Sequence, residues 1–190
     1  MDPRLFKISV ALRLGCKIFH IHKCICGNVV NSYGHHALSC VKSKGRLSRH
    51  SSLNNILKRA LTSSDIPSIL EPAGISRSDG KRPDGLTLVP WREGKSLIWD
   101  STCVDTVAPS HLPSTSKIAG SAAESAARNK SNKYSHLADN NIFIPFAVET
   151  LGPWCKEAKA LITTIGRCLV QLTGDPRSSE FLRQHSNTAR

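Results

Sequence analysis

The sequence predicts an α/β domain, a mixed sheet of about four strands flanked by helices and preceded by a small module rich in cysteine and histidine. Three observations lead there. The spacing of apolar residues changes from helical to extended and back along the chain. Four of the seven cysteines, Cys16, Cys24, Cys26 and Cys40, crowd into the first forty residues beside His20, His22, His35 and His36. Two aspartates, Asp84 and Asp100, fall on neighbouring strands that the turn Arg92-Glu93-Gly94-Lys95 joins. With 190 residues the chain holds one domain with a real core and a small appended module, but not two full domains.

Taken in order, residues 4–19 carry Leu5, Ile8, Leu12 and Phe19 at helical intervals, so a short helix leads into the cysteine cluster. After it, Leu53, Ile56, Leu57, Ala60 and Leu61 recur at three and four, the mark of one buried helical face, with Ser48 or Ser51 as its cap. Residues 68–73 are short and apolar around Glu71. Residues 82–91 and 96–106 alternate or run apolar with Val, Ile, Leu and Trp, as strands do, and Asp79-Gly80 and Glu93-Gly94 supply the turns. Residues 107–116 hold two prolines and read as a loop. An alanine-rich helix is expected over 118–138, a strand over 142–150, and, after Gly152-Pro153, a helix over 154–173 with Ala158, Leu161, Ile162, Ile165, Leu169 and Leu172 on one side. Gly174-Asp175-Pro176 ends it, and the tail from Arg177 is expected to be polar and frayed. The domain boundaries that follow are 1–45 for the N-terminal helix and cysteine module, 46–176 for the α/β domain and 177–190 for the tail.

A net charge of +12 is spread along the chain, from Lys42, Lys44, Arg46, Arg49 and His50 through Lys58 and Arg59 to Arg128, Lys130 and Lys133. Such a field draws polyanions, nucleic acid first, although a basic solubilising surface would look the same. No stretch reaches the eighteen apolar residues of a membrane span, so a soluble, unsecreted protein is expected. An odd number of unevenly placed cysteines favours a metal site in a reducing compartment over a disulfide framework.

Cys24, Cys26 and Cys40 with one imidazole make a set of four soft and borderline ligands, which describes a closed tetrahedral zinc site. His35, five residues before Cys40, is the first choice for the fourth ligand, His36 the next, and His22 or Cys16 lie further out. Asp84 and Asp100 are a different case. Paired carboxylates on adjacent strands can hold a hard cation such as Mg²⁺ or Mn²⁺ through oxygen, or they are two exposed acids on a hairpin. Along the alanine-rich helix, Ala123, Ala127, Tyr134 and Leu137 form a stripe that includes Lys130, whereas Lys133 points to one side. A lysine facing the sheet would pair with those acids, or, with the helix register off by one, both lysines are solvated. Glu71 is either a third ligand or an ordinary acid at a strand end. Asp105, on the opposite strand face from Asp100, reads as structural, and Glu149 has no acid near it in sequence.

The order of these elements, with an acid at Pro83-Asp84 and another one strand later, resembles the PD-(D/E)XK, or restriction-endonuclease-like, superfamily. That family's lysine normally stands two residues after the second acid, where this chain has Thr102. With Cys24, Cys26, His35 and Cys40, then Arg49-His50, Glu71-Pro72, Arg82-Pro83-Asp84, Asp100 and Lys130-Ser131-Asn132-Lys133-Tyr134, residues 22–150 resemble the carboxy-terminal part of site-specific non-LTR retrotransposon polyproteins. The first two cysteines stand closer together than in that family's usual knuckle, and no reverse-transcriptase region is present.

The resemblance implies a nuclear, Mg²⁺-dependent DNA endonuclease with a zinc knuckle. It would nick target DNA so that the 3′ end primes reverse transcription of the element RNA. Asp84 and Asp100 would hold the metal, with Glu71 a possible third ligand; Lys130 would orient water or meet developing charge; Lys133 and Tyr134 would support the site or contact phosphate; and Arg46, Arg49, Lys58 and Arg82 would bind backbone. A catalytically inert or domesticated zinc-containing nucleic-acid-binding module is the alternative. A zinc-stabilised protein-interaction domain is the third.

Overall fold

A computed structural model describes residues 2–75, 82–137 and 139–188. The turn expected at Asp79-Gly80 lies outside them. Helix α1 (Pro3–Leu14) opens with a proline and with Asp2 accepting the Arg4 N–H, and it ends at Gly15, earlier than expected. Strands β1 (His22–Lys23) and β2 (Val29–Val30) form an antiparallel hairpin, followed by the single turn α2 (His36–Ser39). Helix α3 (Lys44–Ser63) begins several residues before the expected start, because Ser43, rather than Ser48 or Ser51, caps it through the Gly45 N–H. The expected boundary at 45/46 thus falls inside α3. One helix serves both the cysteine module and the sheet domain.

The sheet has the order β3 (Ser68–Leu70), β4 (Gly85–Thr87), β5 (Ser96–Val104) and β6 (Asn141–Glu149), antiparallel except for the parallel β5–β6 pair. The chain is therefore α/β with a mixed four-stranded sheet flanked by helices, as expected. Strand β4 is much shorter than residues 82–91, since the Thr87 hydroxyl takes over from the ladder, donating to the Val89 carbonyl and accepting the Leu97 N–H. The turn into β5 is where the sequence placed it. Glu93 and Gly94 both have positive φ (51° and 73°), the pair a tight hairpin turn demands.

Beyond β5 come the short α4 (Leu112–Thr115), inside the stretch expected as loop, then α5 (Ser121–Lys133), a 3₁₀ turn over Ser135–Leu137, and α6 (Lys156–Thr173). The tail expected to fray is helix α7 (Arg177–Thr188), which packs on α6 and buries Leu182.

Alternation along β5 divides the layers. Trp99 and Ser101 point to α3, where both donate to Asn54 Oδ1 (3.1 and 2.6 Å), and α6 packs beside α3. Asp100 points the other way, to α5. The core lies mainly between the sheet and α3/α6, with Leu53, Leu57, Leu61, Trp99, Phe146, Leu161 and Ile165 almost wholly buried. Gly85 is obligatory here, because a Cβ at that position would stand 2.0 Å from Trp99 Cζ2.

Candidate catalytic cleft and metal centre

Glu71, Asp84 and Asp100 lie in one row across three adjacent strands. The β3–β4 pairing of Leu70 with Gly85 and the β4–β5 pairing of Gly85 with Trp99 set the three acids one step beyond the ladder on β3 and β4 and within it on β5. The Glu71 N–H donates to the Asp84 carbonyl (2.8 Å), and the Asp84 N–H to the Trp99 carbonyl (3.0 Å). Glu71 adopts φ 50°, a left-handed conformation that costs a residue with a Cβ about 1–3 kcal/mol and is commonest at functional sites.

Around this row opens a cleft of about 360 Å³, closed on one side by His50 of α3 and on the other by Lys130, Lys133 and Tyr134 at the end of α5, with Arg82 at its rim. Asp84 Oδ2 accepts from the Ser101 N–H (2.6 Å) and from His50 Nε2 (2.9 Å). Burial on its own would push the Asp84 carboxyl up, but the His50 hydrogen bond and charge, with those from Ser101 and Asn54, bring it below the usual 3.8. The same hydrogen bond raises His50 above 6.5 against the opposing effect of its burial. Asp100 is more deeply set, with a side chain 5% exposed, and its Oδ1 accepts from Lys130 Nζ.

Lys130 thus faces the sheet as the helical stripe requires. The expectation that Lys133 points aside is corrected. Its Nζ donates to the Tyr134 hydroxyl (2.8 Å), lies over the Tyr134 ring, and comes within 3.9 Å of Asp100 Oδ2. Four flexible methylenes let a lysine one stripe away swing back to the same carboxylate. The buried Tyr134 donates in turn to the Arg82 carbonyl (3.0 Å), tying the end of α5 to the Arg82-Pro83-Asp84 segment. Arg82 pairs with Glu71, so its guanidinium and that acid neutralise each other at the rim. Glu149 is fully buried and accepts the Ala122 and Ala123 N–H groups through Oε1 (3.0 and 3.3 Å), capping α5 in place of the side-chain-free Gly120. Asp105 holds the Thr150 hydroxyl and the Val107 N–H.

Two residues of this site carry no signal as chemistry in the sequence. His50 enters the sequence reading as a basic residue and as part of the Arg49-His50 pair of the resemblance, with no role at the acids, and Asn54 not at all. Yet His50, Asn54, Leu57 and Leu61 follow one another at four, three and four residues, the spacing that puts all of them on the buried face of α3.

The second centre is the N-terminal module. Cys24 and Cys26 sit in the β1–β2 hairpin turn, where the Cys24 N–H bonds the Asn28 carbonyl and the Gly27 N–H that of Cys24 (both 2.8 Å). His36 and Cys40 occupy the two ends of α2, and the ligand atoms of all four residues lie within 4.8 Å of one another. Cys24 Sγ stands 3.7 Å from Cys40 Sγ, and Cys26 Sγ 3.2 Å from His36 Nε2. These separations are near the ~3.5–3.8 Å edges of a tetrahedron with zinc–sulfur and zinc–nitrogen bonds, and far from the ~2 Å of a disulfide. A hydrogen bond from the Asn28 backbone brings the Cys26 thiol down to about 7 despite desolvation, toward the thiolate a metal needs. The Cys24/Cys26/His36/Cys40 cluster can therefore hold a metal such as zinc. His36, not His35, is the imidazole. Its offset of four from Cys40 aligns both on one helical face, whereas the His35 ring stacks on Tyr33 (centroids 5.9 Å apart).

Of the expected backbone-binding cations, Arg46 is exposed and Lys58 half-exposed on α3. Arg49 is turned elsewhere. Its Nη2 donates to the Leu38 carbonyl of α2 (2.6 Å). Among the described residues no helix is long and apolar enough to cross a membrane. Compared with known proteins, the chain matches no family model and no curated sequence.

Proposed function

We propose that this chain is a metal-dependent DNA endonuclease domain of restriction-endonuclease-like architecture with an appended zinc knuckle. By its resemblance to non-LTR retrotransposon polyproteins, it nicks target DNA in the nucleus to prime reverse transcription of an element RNA. The observation that carries this reading is the convergence, in one open cleft on a strongly basic chain, of Asp84 and Asp100 from adjacent strands with Lys130 from α5.

The donor set fits a hard cation. Among the described residues Asp84 and Asp100 form no close set with a third acid, histidine or cysteine of the kind the knuckle ligands form, and His50 touches Asp84. Mg²⁺ commonly binds through one or two carboxylates and completes its shell with water and phosphate oxygens. When bound there it would supply an activated water and neutralise charge on the phosphodiester. The residues do the rest. Lys130 holds an ammonium group beside Asp100 where negative charge develops, and Lys133, fixed by Tyr134, presents a second cation. Tyr134 keeps the Pro83-Asp84 segment against α5. Arg46 and Lys58 offer charge to the backbone of the duplex.

An inert binding module is the second reading, and one observation favours it: each carboxylate already has a hydrogen-bonding partner, the Lys130 ammonium on Asp100 and the His50 imidazole on Asp84. Supercoiled-plasmid nicking with Mg²⁺ or Mn²⁺, wild type beside Asp84→Ala, decides between them. The nuclease reading expects metal-dependent nicking lost in the variant. If wild type nicks no form of DNA with either metal yet binds DNA with strong salt dependence, the binding module takes its place. Binding that hardly responds to salt would point to a protein-interaction domain instead.

A further inference from the structure

Arg49 and His50 are consecutive residues of α3, so their side chains leave the helix about 100° apart and meet different neighbours. Arg49 reaches back to the Leu38 carbonyl, in the middle of the α2 turn whose ends are His36 and Cys40. His50 reaches forward to Asp84 at 2.9 Å. Four residues on, Asn54 anchors the same helix to β5 through Trp99 and Ser101. The guanidinium of Arg49 is half-buried, and its Nε is buried with no partner among the described residues. Such a group is poorly placed for a phosphate and well placed as a strut.

The helix α2 is a single turn and cannot persist alone. What holds it is the ligand set at its two ends and the charged hydrogen bond from Arg49 at its middle. We infer that Arg49 is a positioning residue through which the metal-bound knuckle fixes the N-terminal half of α3 and so holds His50 against Asp84 in the cleft. The inference rests on reading the Cys/His cluster as a zinc site and the acid row as the working cleft. It gives the knuckle a role beyond binding nucleic acid, since an intact zinc shell sets the geometry of the acids. The link is short. Only Leu38, Arg49 and His50 separate the ligands from Asp84.

The test uses the full chain and reads His50 directly. In ¹⁵N-histidine NMR at one fixed pH, with His50→Gln to assign the signal, the ring resonances of zinc-loaded wild type report the contact with Asp84, and Asp84→Asn gives their values without the acid. Arg49→Met, still carrying one zinc by metal analysis, is expected to move the His50 resonances toward those in Asp84→Asn. Chelation of zinc from wild type is expected to do the same while the amides of α6 stay protected. Duplex-DNA binding by Arg49→Met should keep the wild-type slope of log affinity against log salt. A phosphate contact would lower it by about one unit. His50 resonances unmoved in both Arg49→Met and zinc-free wild type overturn the inference, as does a slope reduced by one with His50 unmoved. Should Arg49→Met fail to fold, Arg49→Lys, which keeps the charge but not the planar fork, and the chelation arm carry the same reading. Absence of nicking in wild type would count against the nuclease and leave these signals to be read as they stand.

Discussion

Replacing Lys130 by methionine keeps the apolar stem and removes only the ammonium group, which isolates its pairing with Asp100. The Asp100 side chain is 5% exposed and that of Lys130 is 24% exposed, so this is a largely buried pair. Removing one partner of such a pair costs about 3–5 kcal/mol, because an uncompensated carboxylate is left inside. Lys133 limits the loss. Its Nζ remains 3.9 Å from the other oxygen, so the carboxylate keeps part of its compensation and the loss falls towards or below the low end of that range. A net cost of about 1–3 kcal/mol follows, or very roughly 2–4 °C in Tm for each kcal/mol in a chain of this length. Urea unfolding of metal-free protein at neutral pH measures it. In an Asp100→Asn background, where no charge needs a partner, Lys130→Met should cost less than about 0.5 kcal/mol, the scatter of independent sites. An equal cost in both backgrounds refutes the pairing. So would a larger loss from Lys133→Met than from Lys130→Met.

Purified protein should contain about one equivalent of zinc, and Cys40→Ser should release it and raise amide exchange over residues 20–45 while β5 and β6 stay protected; zinc-free, reduced protein that keeps this module protected would count against the site. Neutralising Arg46 and Lys58 should lower the salt slope of duplex binding by nearly one unit each, as binding titrations across a salt series would show. In metal-free protein the Asp84–His50 pair stabilises the fold within a pH window. His50, raised, contributes fully below about 6.5 and loses its contribution as pH climbs through its folded value; Asp84, lowered, contributes above about 3.8 and loses its contribution as pH falls through its folded value. The stability gap between wild type and Asp84→Asn should therefore peak between those limits and shrink on both sides in urea titrations at stepped pH. Gly85→Ala, driving a methyl into Trp99, should destabilise by about 1–3 kcal/mol or more in the same assay.

The parts legible in the sequence are those where burial writes a period. Strands β5 and β6 run apolar because both faces are covered, and α6 shows Leu161, Ile165 and Leu169 at four-residue steps because its stripe lies on the core. The stripe of α5 brought Lys130 to the acids. Where polar groups make the structure, the pattern is silent. The first turns of α3, Lys44 to Arg49, hold one apolar side chain, Leu47, and it is exposed, so nothing apolar marked a helix that Ser43 caps and Arg49 ties down. Asn54 is buried and His50 half-exposed on the same side of α3, but a polar residue there reads as a break in the stripe until its partner is known. The choice between His35 and His36 turned on a helical turn of four residues, too short to show a period. In α7 the buried residues are Leu182 and the polar Ser186, and one apolar residue beside the exposed Phe181 is a thin stripe among charges, so the segment reads as a tail.

Lys130 reaches Asp100 from a helix, not from the strand, and this changes what the cleft must do to admit a cation. Two residues along a strand point to the same face about 6.6 Å apart, so an acid and a lysine at that spacing stand side by side with room between them. Thr102 holds that place here, and the ammonium group sits on the carboxylate itself. With Lys130 on Oδ1 and Lys133 facing Oδ2, Asp100 serves a cation most fully by giving up Lys130, which then stays within reach at the end of α5 beside Lys133 and Tyr134. In the reading we propose, the acid and the lysine are exchanged in one event, so Lys130→Met should move two measurements in opposite directions. Mg²⁺ affinity, by calorimetry, should rise, because Asp100 no longer has an internal competitor. Nicking should fall by about a hundredfold or more, because the charge that meets the transition state is gone. An inert module would show the first change and have no turnover to lose. Weaker Mg²⁺ binding in Lys130→Met would mean that Asp100 is not a metal ligand at all, and the pair would then be a buried salt bridge holding α5 to the sheet.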